Sequence, residues 1–277
     1  MILKKKLLLY QATGETPTPP PGPTPAGYQL LYLMNGDYSG NVKLRNWSID
    51  TGITWRDVFV NSSSLGISRP GLETVITYCY TYGTGQPEGG MFAGCNPRYN
   101  QEGGGGGRDM GGFWRMFGYS GQNFSFDCPS EDDRVGLGNQ TLQAGWIFTE
   151  TCKYGYLGSD SLNSYIKVET PNVTGGVMGE ATKTSFSYTW ADARLPHNLY
   201  LWADASQPSG DTAPRGGVKI YGFTVYYLNN GVRHTKVYDG VPWMDENNVP
   251  CIYDSVSNTL QYNCATDPQP FLYGTIS

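Results

Sequence analysis

The sequence predicts an all-β chain, a sandwich of two antiparallel sheets preceded by an extended N-terminal arm, and three observations carry that prediction. Runs of β-branched and aromatic residues recur along its length, several in strict alternation with polar residues. Turn chemistry separates them: among 277 residues are 37 Gly and 18 Pro, a composition that suits many short strands and leaves little for helix. Residues 217–263 read directly as two consecutive hairpins. The length fits one large sandwich domain, since all-β units often exceed 200 residues.

In that closing region, VKIYGFTVYY (residues 218–227) is a strand, Asn229-Asn230-Gly231 a hairpin turn, and VRHTKVY (232–238) the returning strand. Pro242 is read as ruling out an unbroken central strand through Trp243, because proline cannot donate to a ladder, so the chain is expected to bend there. Residues 249–262 are apolar, then turn at a Ser-Asn pair, then apolar again, which gives a second hairpin.

At the other end, MILKKKLLLY begins with charge followed by leucines, but its apolar run stops after four residues. A signal h-region takes roughly 7 to 15 and a membrane span about 20, so neither export by this route nor membrane insertion is expected. Residues 16–25 are rich in proline and favour extended polyproline II, a semi-rigid spacer. The organisation expected is therefore a docking arm (1–15), a Pro-rich linker (16–26) and one sandwich domain (27–277). Lys4, Lys5, Lys6, Leu7, Leu8, Leu9 and Tyr10 are the candidate docking residues, suited to completing a partner's sheet edge or groove; a loose leader without a role is their other reading.

Within the domain, residues 28–33 and 46–55 are strand candidates. Residues 74–82 alternate strictly, with Ile76, Tyr78, Tyr80 and Tyr82 on one side and Val75, Thr77, Cys79 and Thr81 on the other. Residues 83–112 contain Gly-Gly pairs and five glycines in a row without periodicity, and read as a long exposed loop. Residues 113–119 close it with dense aromatics. Further strands are expected over 123–127, 141–148, 162–168 and 198–203. Residues 184–190 form the clearest half-buried pattern, Phe186, Tyr188 and Trp190 alternating with Ser185, Ser187 and Thr189.

These residues carry a resemblance. Ile220-Tyr221, Asn230-Gly231, Val241-Pro242 and Ile252-Tyr253-Asp254 at one end, and Leu31-Tyr32-Leu33 and Ile49-Asp50-Thr51-Gly52-Ile53 at the other, stand in the order found in concanavalin A-like (laminin-G-like) sandwich domains. Such domains are common in virion and surface proteins of phages and bacteria of the gut. The stretch MNGDYSGNVKLRNWS departs from their usual short link. The resemblance implies a jelly-roll sandwich in a virion, as a head or tail fibre or decoration protein of a phage, commonly a homotrimer. Its partners would be other virion proteins, met through the arm, and a host-surface glycan. A bacterial surface or secreted glycan-binding module is the alternative.

Chemistry is sparse. A net charge of −5 and a pI near 5.0 argue against a nucleic-acid surface. Only His197 and His234 are present, neither beside a nucleophile motif. Glycosidases on the resembling fold place two carboxylates on alternate positions of one strand, and no Glu-x-Asp-x-Glu string occurs, so no catalytic residue is assigned. Glu131-Asp132-Asp133 reads as a solvated turn. Calcium at that turn, or at Asp50, Asp57 or Asp211, is the one metal compatible with such residues, although no spaced Asp-x-Asp-x-Asp loop exists and no cofactor is expected. The six cysteines match no zinc pattern and read as scattered thiols, with a Cys251–Cys264 disulfide across the last hairpin as the alternative. Trp114 and Tyr119, beside the glycine-rich stretch, are the candidate glycan-stacking rings; anchoring that stretch to the sandwich is their other reading.

Overall fold

The computed structural model describes residues 24–35, 47–54, 57–81, 90–95, 114–119, 123–128, 133–138, 140, 143–186, 198–202, 217–265 and 268–276. Its strands are β1 (Gly27–Met34), β2 (Ile49–Thr54), β3 (Pro70–Tyr80), β4 (Gly90–Cys95), β5 (Trp114–Tyr119), β6 (Asn123–Asp127), β7 (Arg134–Leu137) and β8 (Ile147–Tyr156). They continue with β9 (Leu162–Glu169), β10 (Val177–Lys183), β11 (Asn198–Leu201), β12 (Val218–Asn229), β13 (Val232–Asp245), β14 (Pro250–Asp254), β15 (Thr259–Gln261) and β16 (Leu272–Thr275). One helical turn, α1 (Asp57–Val60), follows β2. A ten-stranded sheet runs β10-β9-β8-β3-β12-β1-β13-β14-β15, with β16 paired to β1, and a six-stranded sheet runs β2-β11-β4-β5-β6-β7. All named pairings are antiparallel, so the chain is an all-β sandwich as its sequence predicts.

β8 shows why these segments are strands. Phe148, Glu150, Cys152 and Tyr154 are buried while Thr149, Thr151 and Lys153 between them are half-buried, a period of two that turns one face to the core. The Phe148 ring lies 5.1 Å from Phe124 of β6, across the gap between the sheets, and 5.8 Å from Tyr78 of β3. β3 keeps the predicted alternation, with Ile76, Tyr78 and Tyr80 buried, and begins four residues earlier than expected, at Pro70. Where it passes β8, Gly71 faces Gly155, and a Cβ on Gly155 would sit 2.4 Å from the Gly71 Cα. Two facing glycines let the backbones approach that closely.

Both predicted hairpins form. Asn230 (φ 53°) and Gly231 (φ 81°) are left-handed at consecutive positions, the requirement of a type I′ turn, and the pair Asn229↔Val232 closes it. Asn258 (φ 58°) serves the second, which Asp254 organises by accepting from the backbone N–H groups of Val256 and Ser257. Trp202, directly after β11, is also left-handed (φ 57°) and fully buried. Its indole N–H donates to the Val218 carbonyl at 2.9 Å and its ring lies 4.7 Å from Phe271, so one side chain joins the small sheet, the large sheet and the C-terminal segment.

Several expectations are corrected. β13 continues unbroken through Pro242 to Asp245, where the sequence suggested a break. Asp239 and Asp245 both exchange backbone bonds with the β14 side, so by two-residue alternation Pro242 faces the other flank. On that flank the partner changes from β12, last paired at Gly240, to β1, first paired at Trp243, and the missing N–H costs no ladder bond. A change of direction is nonetheless built in. β1 is antiparallel to β12 at Leu33 and to β13 at Gln29, although β12 and β13 are themselves antiparallel, so the strands must swing round between the two pairings.

The stretch 83–112 is not wholly loop: Gly90–Cys95 is a strand of the small sheet, unreadable in advance because glycine carries no periodicity. The strand expected over 141–148 begins only at Ile147, after a turn with Gly145 at φ 82°, and runs on to Tyr156. Residues 184–186 lie beyond the end of β10 and are not strand, while Tyr188 and Trp190 fall outside the described residues. Phe186 packs edge-on against Tyr154, rings 5.7 Å apart. Cys251 and Cys264 are free thiols, so the alternative disulfide is absent. Cys79, Cys128 and Cys152 are buried and in no disulfide, as the main reading expected.

Phe148→Ala should cost about 3 to 5 kcal/mol through the cavity it leaves between the sheets, whereas Thr151→Ala, on the opposite face of the same strand, should stay within about 0.5 kcal/mol. Urea unfolding of both variants measures this, and equal costs would show that the inner and outer faces of β8 are misassigned.

Candidate functional site

The core side of the large sheet is mostly apolar, with Thr74 and Ser164 among its buried polar residues. Glu150, fully buried on β8, accepts from the Tyr78 hydroxyl at 3.0 Å and from the Cys152 thiol at 3.6 Å. Burial pushes its carboxyl up to about 8, the two donors only partly opposing that shift, so it is protonated at neutral pH. The same burial, with Glu150 beside them, raises the Tyr78 phenol and the Cys152 thiol well above their usual ranges. None of the three is exposed to solvent, which removes them from chemistry on an external substrate.

The opposite face of the sheet is different in kind. Glu73 and Lys153 alternate with core residues on β3 and β8, so they project away from the small sheet. Direct cross-strand pairing sets Lys236, Tyr226, Glu73, Lys153, Tyr165 and Thr182 in one row over six strands. At about 4.8 Å per strand the row spans roughly 24 Å.

Its members are linked throughout. The Glu73 carboxylate, 1% exposed, accepts from Arg233 Nε at 2.8 Å and Nη2 at 2.5 Å, and meets Lys153 Nζ at 3.0 Å on its other oxygen. The Arg233 guanidinium stands 4.1 Å from the Tyr226 ring centre, and the Lys236 ammonium 5.7 Å from the same ring. Lys153 also lies 5.8 Å from the Tyr165 ring, whose hydroxyl donates to Glu180 at 2.7 Å. Burial and Glu180 both raise the Tyr165 phenol, keeping it a proton donor. Lys236 in turn meets Asp239 at 3.4 Å.

Two β-bulges make this convergence possible. Residues 233 and 236 are three apart and would point to opposite faces of a regular strand. In β13, however, His234 and Val237 are each extra relative to β12, and these insertions bring both cations over Tyr226. His234 itself bonds Thr235 Oγ1 at 2.8 Å through Nδ1. With Arg233, Lys236 and Lys153 set against Glu73, Asp239 and Glu180, the row is close to neutral and rich in hydroxyls, rings and fixed donors.

The sequence-predicted residues fall elsewhere. Trp114 and Tyr119 are the end residues of β5 in the small sheet, opposite Cys95 and Asn123, and so lie in a paired strand. Lys4 to Tyr10, His197, Glu131, Asp132 and Asp211 lie outside the described residues. Asp133 is not the solvated turn residue expected: it is fully buried at the head of β7, 3.5 Å from Lys183 of β10. Asp50 accepts from the Asn198 amide at 3.0 Å and from the Gly52 N–H at 2.8 Å, and the Asp57 carbonyl is bonded by the Asn61 N–H. No group of three or more His, Cys, Asp or Glu suited to a metal ion occurs among the described residues. The row was missed because its members are scattered from residue 73 to residue 236. Its one legible trace was Glu73, a lone carboxylate at the head of an apolar strand.

No protein-family model matches the chain, and no characterised protein matches it by sequence. Among solved structures it is similar to the marine PL-14 alginate lyase from Aplysia kurodai, at 13% identity and TM-score 0.35, over 72% of this chain and 81% of that one. It is also similar to a peanut lectin solved with a nine-residue peptide, at 15% identity and TM-score 0.37, over 72% of this chain and 92% of that one. The sandwich described above rests on this chain's own strand pairing and not on those likenesses.

Glu150 gives a pH prediction. Between its ordinary value of about 4.3 and its folded value of about 8, the folded chain holds a proton that the unfolded chain has released. Stability from this group therefore falls as pH rises through that window, by at most about 1.4 kcal/mol per pH unit. Glu150→Gln should flatten the slope and melt above the parent at pH 9. An unchanged slope in melting temperature between pH 5 and pH 8 would refute the buried protonated carboxyl.

Proposed function

We propose that this chain is a non-enzymatic virion structural protein of a phage, a fibre or decoration protein of the head or tail. Its N-terminal arm anchors it to other virion proteins, and its sandwich meets a host-surface glycan. The virion assignment draws on the resemblance of its opening and closing motifs. The glycan reading draws on one observation, the row from Lys236 through Tyr226, Glu73 and Lys153 to Tyr165 on the outer face of the large sheet.

Sugar recognition needs a flat apolar face beside hydrogen-bond donors held in place; Tyr165 supplies the face, while Tyr226 is buried beneath Arg233 and holds that guanidinium in position. The half-buried Tyr165 stands three strand spacings, roughly 14 Å, from Tyr226 and its Arg233, with the Lys153 ammonium between them. Its near-neutral balance suits a polyhydroxylated ligand better than a polyphosphate, which a cationic surface would attract. No acid–base pair is assigned: the Glu73 carboxylate is taken up by Arg233 and Lys153, and Glu150 is sealed in the core.

Purified protein tested on gut-derived polysaccharides should bind without releasing reducing or unsaturated ends. Tyr165→Ala and Arg233→Ala should each weaken that binding about tenfold, equivalent to about 1.4 kcal/mol. Trp114→Ala and Tyr119→Ala, measured alongside, locate the contact if it lies on the small sheet instead. Cleavage of any polysaccharide would overturn the non-enzymatic reading, and unchanged binding by both outer-face variants would remove the row as the site.

A further inference from the structure

Five large apolar side chains stand exposed in one place: Tyr28 and Leu31 of β1, Leu272 and Tyr273 of β16, and Ile276 just beyond, each 39% to 47% exposed. Successive residues of a strand point to opposite faces, yet Leu272 and Tyr273 are both exposed, so β16 is bare on both sides. Among the described residues β16 pairs with β1 alone, from Leu272↔Met34 to Thr275↔Leu30, and its far edge carries no ladder. Its seat is nonetheless specific, since a Cβ on Gly274 would fall 2.4 Å from the Tyr32 ring. A seated strand with an apolar, unpaired edge is a template for one more strand.

We propose that this edge receives Leu7–Tyr10 of the arm of a second copy of this chain, added beside β16 as an extra strand. The inference rests on reading the arm as a docking peptide, and takes a neighbouring copy of this chain as the virion protein that it docks on. The lengths match: Leu7-Leu8-Leu9-Tyr10 is an apolar run of four residues and β16 has four. Apolar residues on both faces of the incoming run suit an edge whose own residues are bare on both faces.

Reach and charge agree with a partner in trans. Six prolines in residues 16–25 favour an extended spacer of about 31 Å ahead of β1, long enough to carry the arm to a second copy. Lys4, Lys5 and Lys6 stand against Glu15 in the arm, while the chain as a whole carries −5, so a cationic arm meets an acidic body. Each copy both gives an arm and offers an edge, so the contact can pass from copy to copy.

Light scattering on size-fractionated samples tests this with three proteins: the full chain, the chain lacking residues 1–10, and the full chain carrying Leu272→Asp with Tyr273→Asp. The full chain should be a multimer and both variants single copies, with circular dichroism and melting temperature showing that each is folded. A synthetic peptide of residues 2–10 in excess should convert the full-chain multimer to single copies, which keeps the test decisive even if the double substitution unfolds. A single-copy full chain, whether its arm folds back on its own edge or waits for a different protein, overturns the proposal. So does a folded edge variant, or a truncated chain, that assembles as the full chain does. Loss of polysaccharide binding with assembly intact would instead count against the outer-face reading alone.

Discussion

The pairing of β3 with β12 is the constraint on which the rest of the molecule depends. It runs from Val218↔Tyr80 to Asn229↔Pro70 with a single irregularity near Tyr221, and it joins residues about 150 apart in sequence. Everything else in the large sheet is registered to it. β8 adds on one side through nine consecutive pairs, and β13 on the other through a turn that only left-handed residues can make. Because side chains alternate with period two, this one register decides which residues meet the small sheet and which face outward. A slip by one residue would turn Ile76 and Tyr78 out and drive Glu73 in.

That coupling explains how a carboxylate as buried as Glu73 is tolerated. Removing it from water is costly unless it is paired and its lone pairs are filled. Arg233 and Lys153 fill them, but only because β12 holds β13 at a register in which two bulges bring Arg233 back over β3. The arginine then does three jobs, two hydrogen bonds to one oxygen and a stacking contact on Tyr226, which a lysine could not reproduce. The ion pair and the bulges presuppose one another, and both lie in the candidate site.

The elements legible in the sequence were those whose signal is local. Asn230-Gly231 announced its turn, residues 74–80 announced their alternation, and the outermost motifs announced both ends of one sandwich. What was illegible had physical causes of three sorts. Gly90–Cys95 forms a strand through backbone pairing that its GMFAGC sequence does not signal. Glu150 breaks the polar-out pattern of β8 because a protonated carboxyl with two donors is tolerable where a carboxylate is not. Pro242 was read from a rule about central strands, and the structure meets that rule by placing it where the neighbouring strand changes. The outer-face row required tertiary register and two bulges, neither of which a single strand's residues encode.

Glu73 and Glu150 sharpen the argument about chemistry. A general acid in a cleft needs a shifted proton affinity and access to substrate together. Glu150 has the shift, produced by burial, and has no access. Glu73 faces outward and is saturated, its oxygens committed to two cations that also brace the aromatic rings. Neither carboxyl combines the two properties: Glu150 is sealed between the sheets, and Glu73, 1% exposed, lies under its two cations on the other face. A surface whose charges are already spent on one another keeps its rings and donors fixed in place.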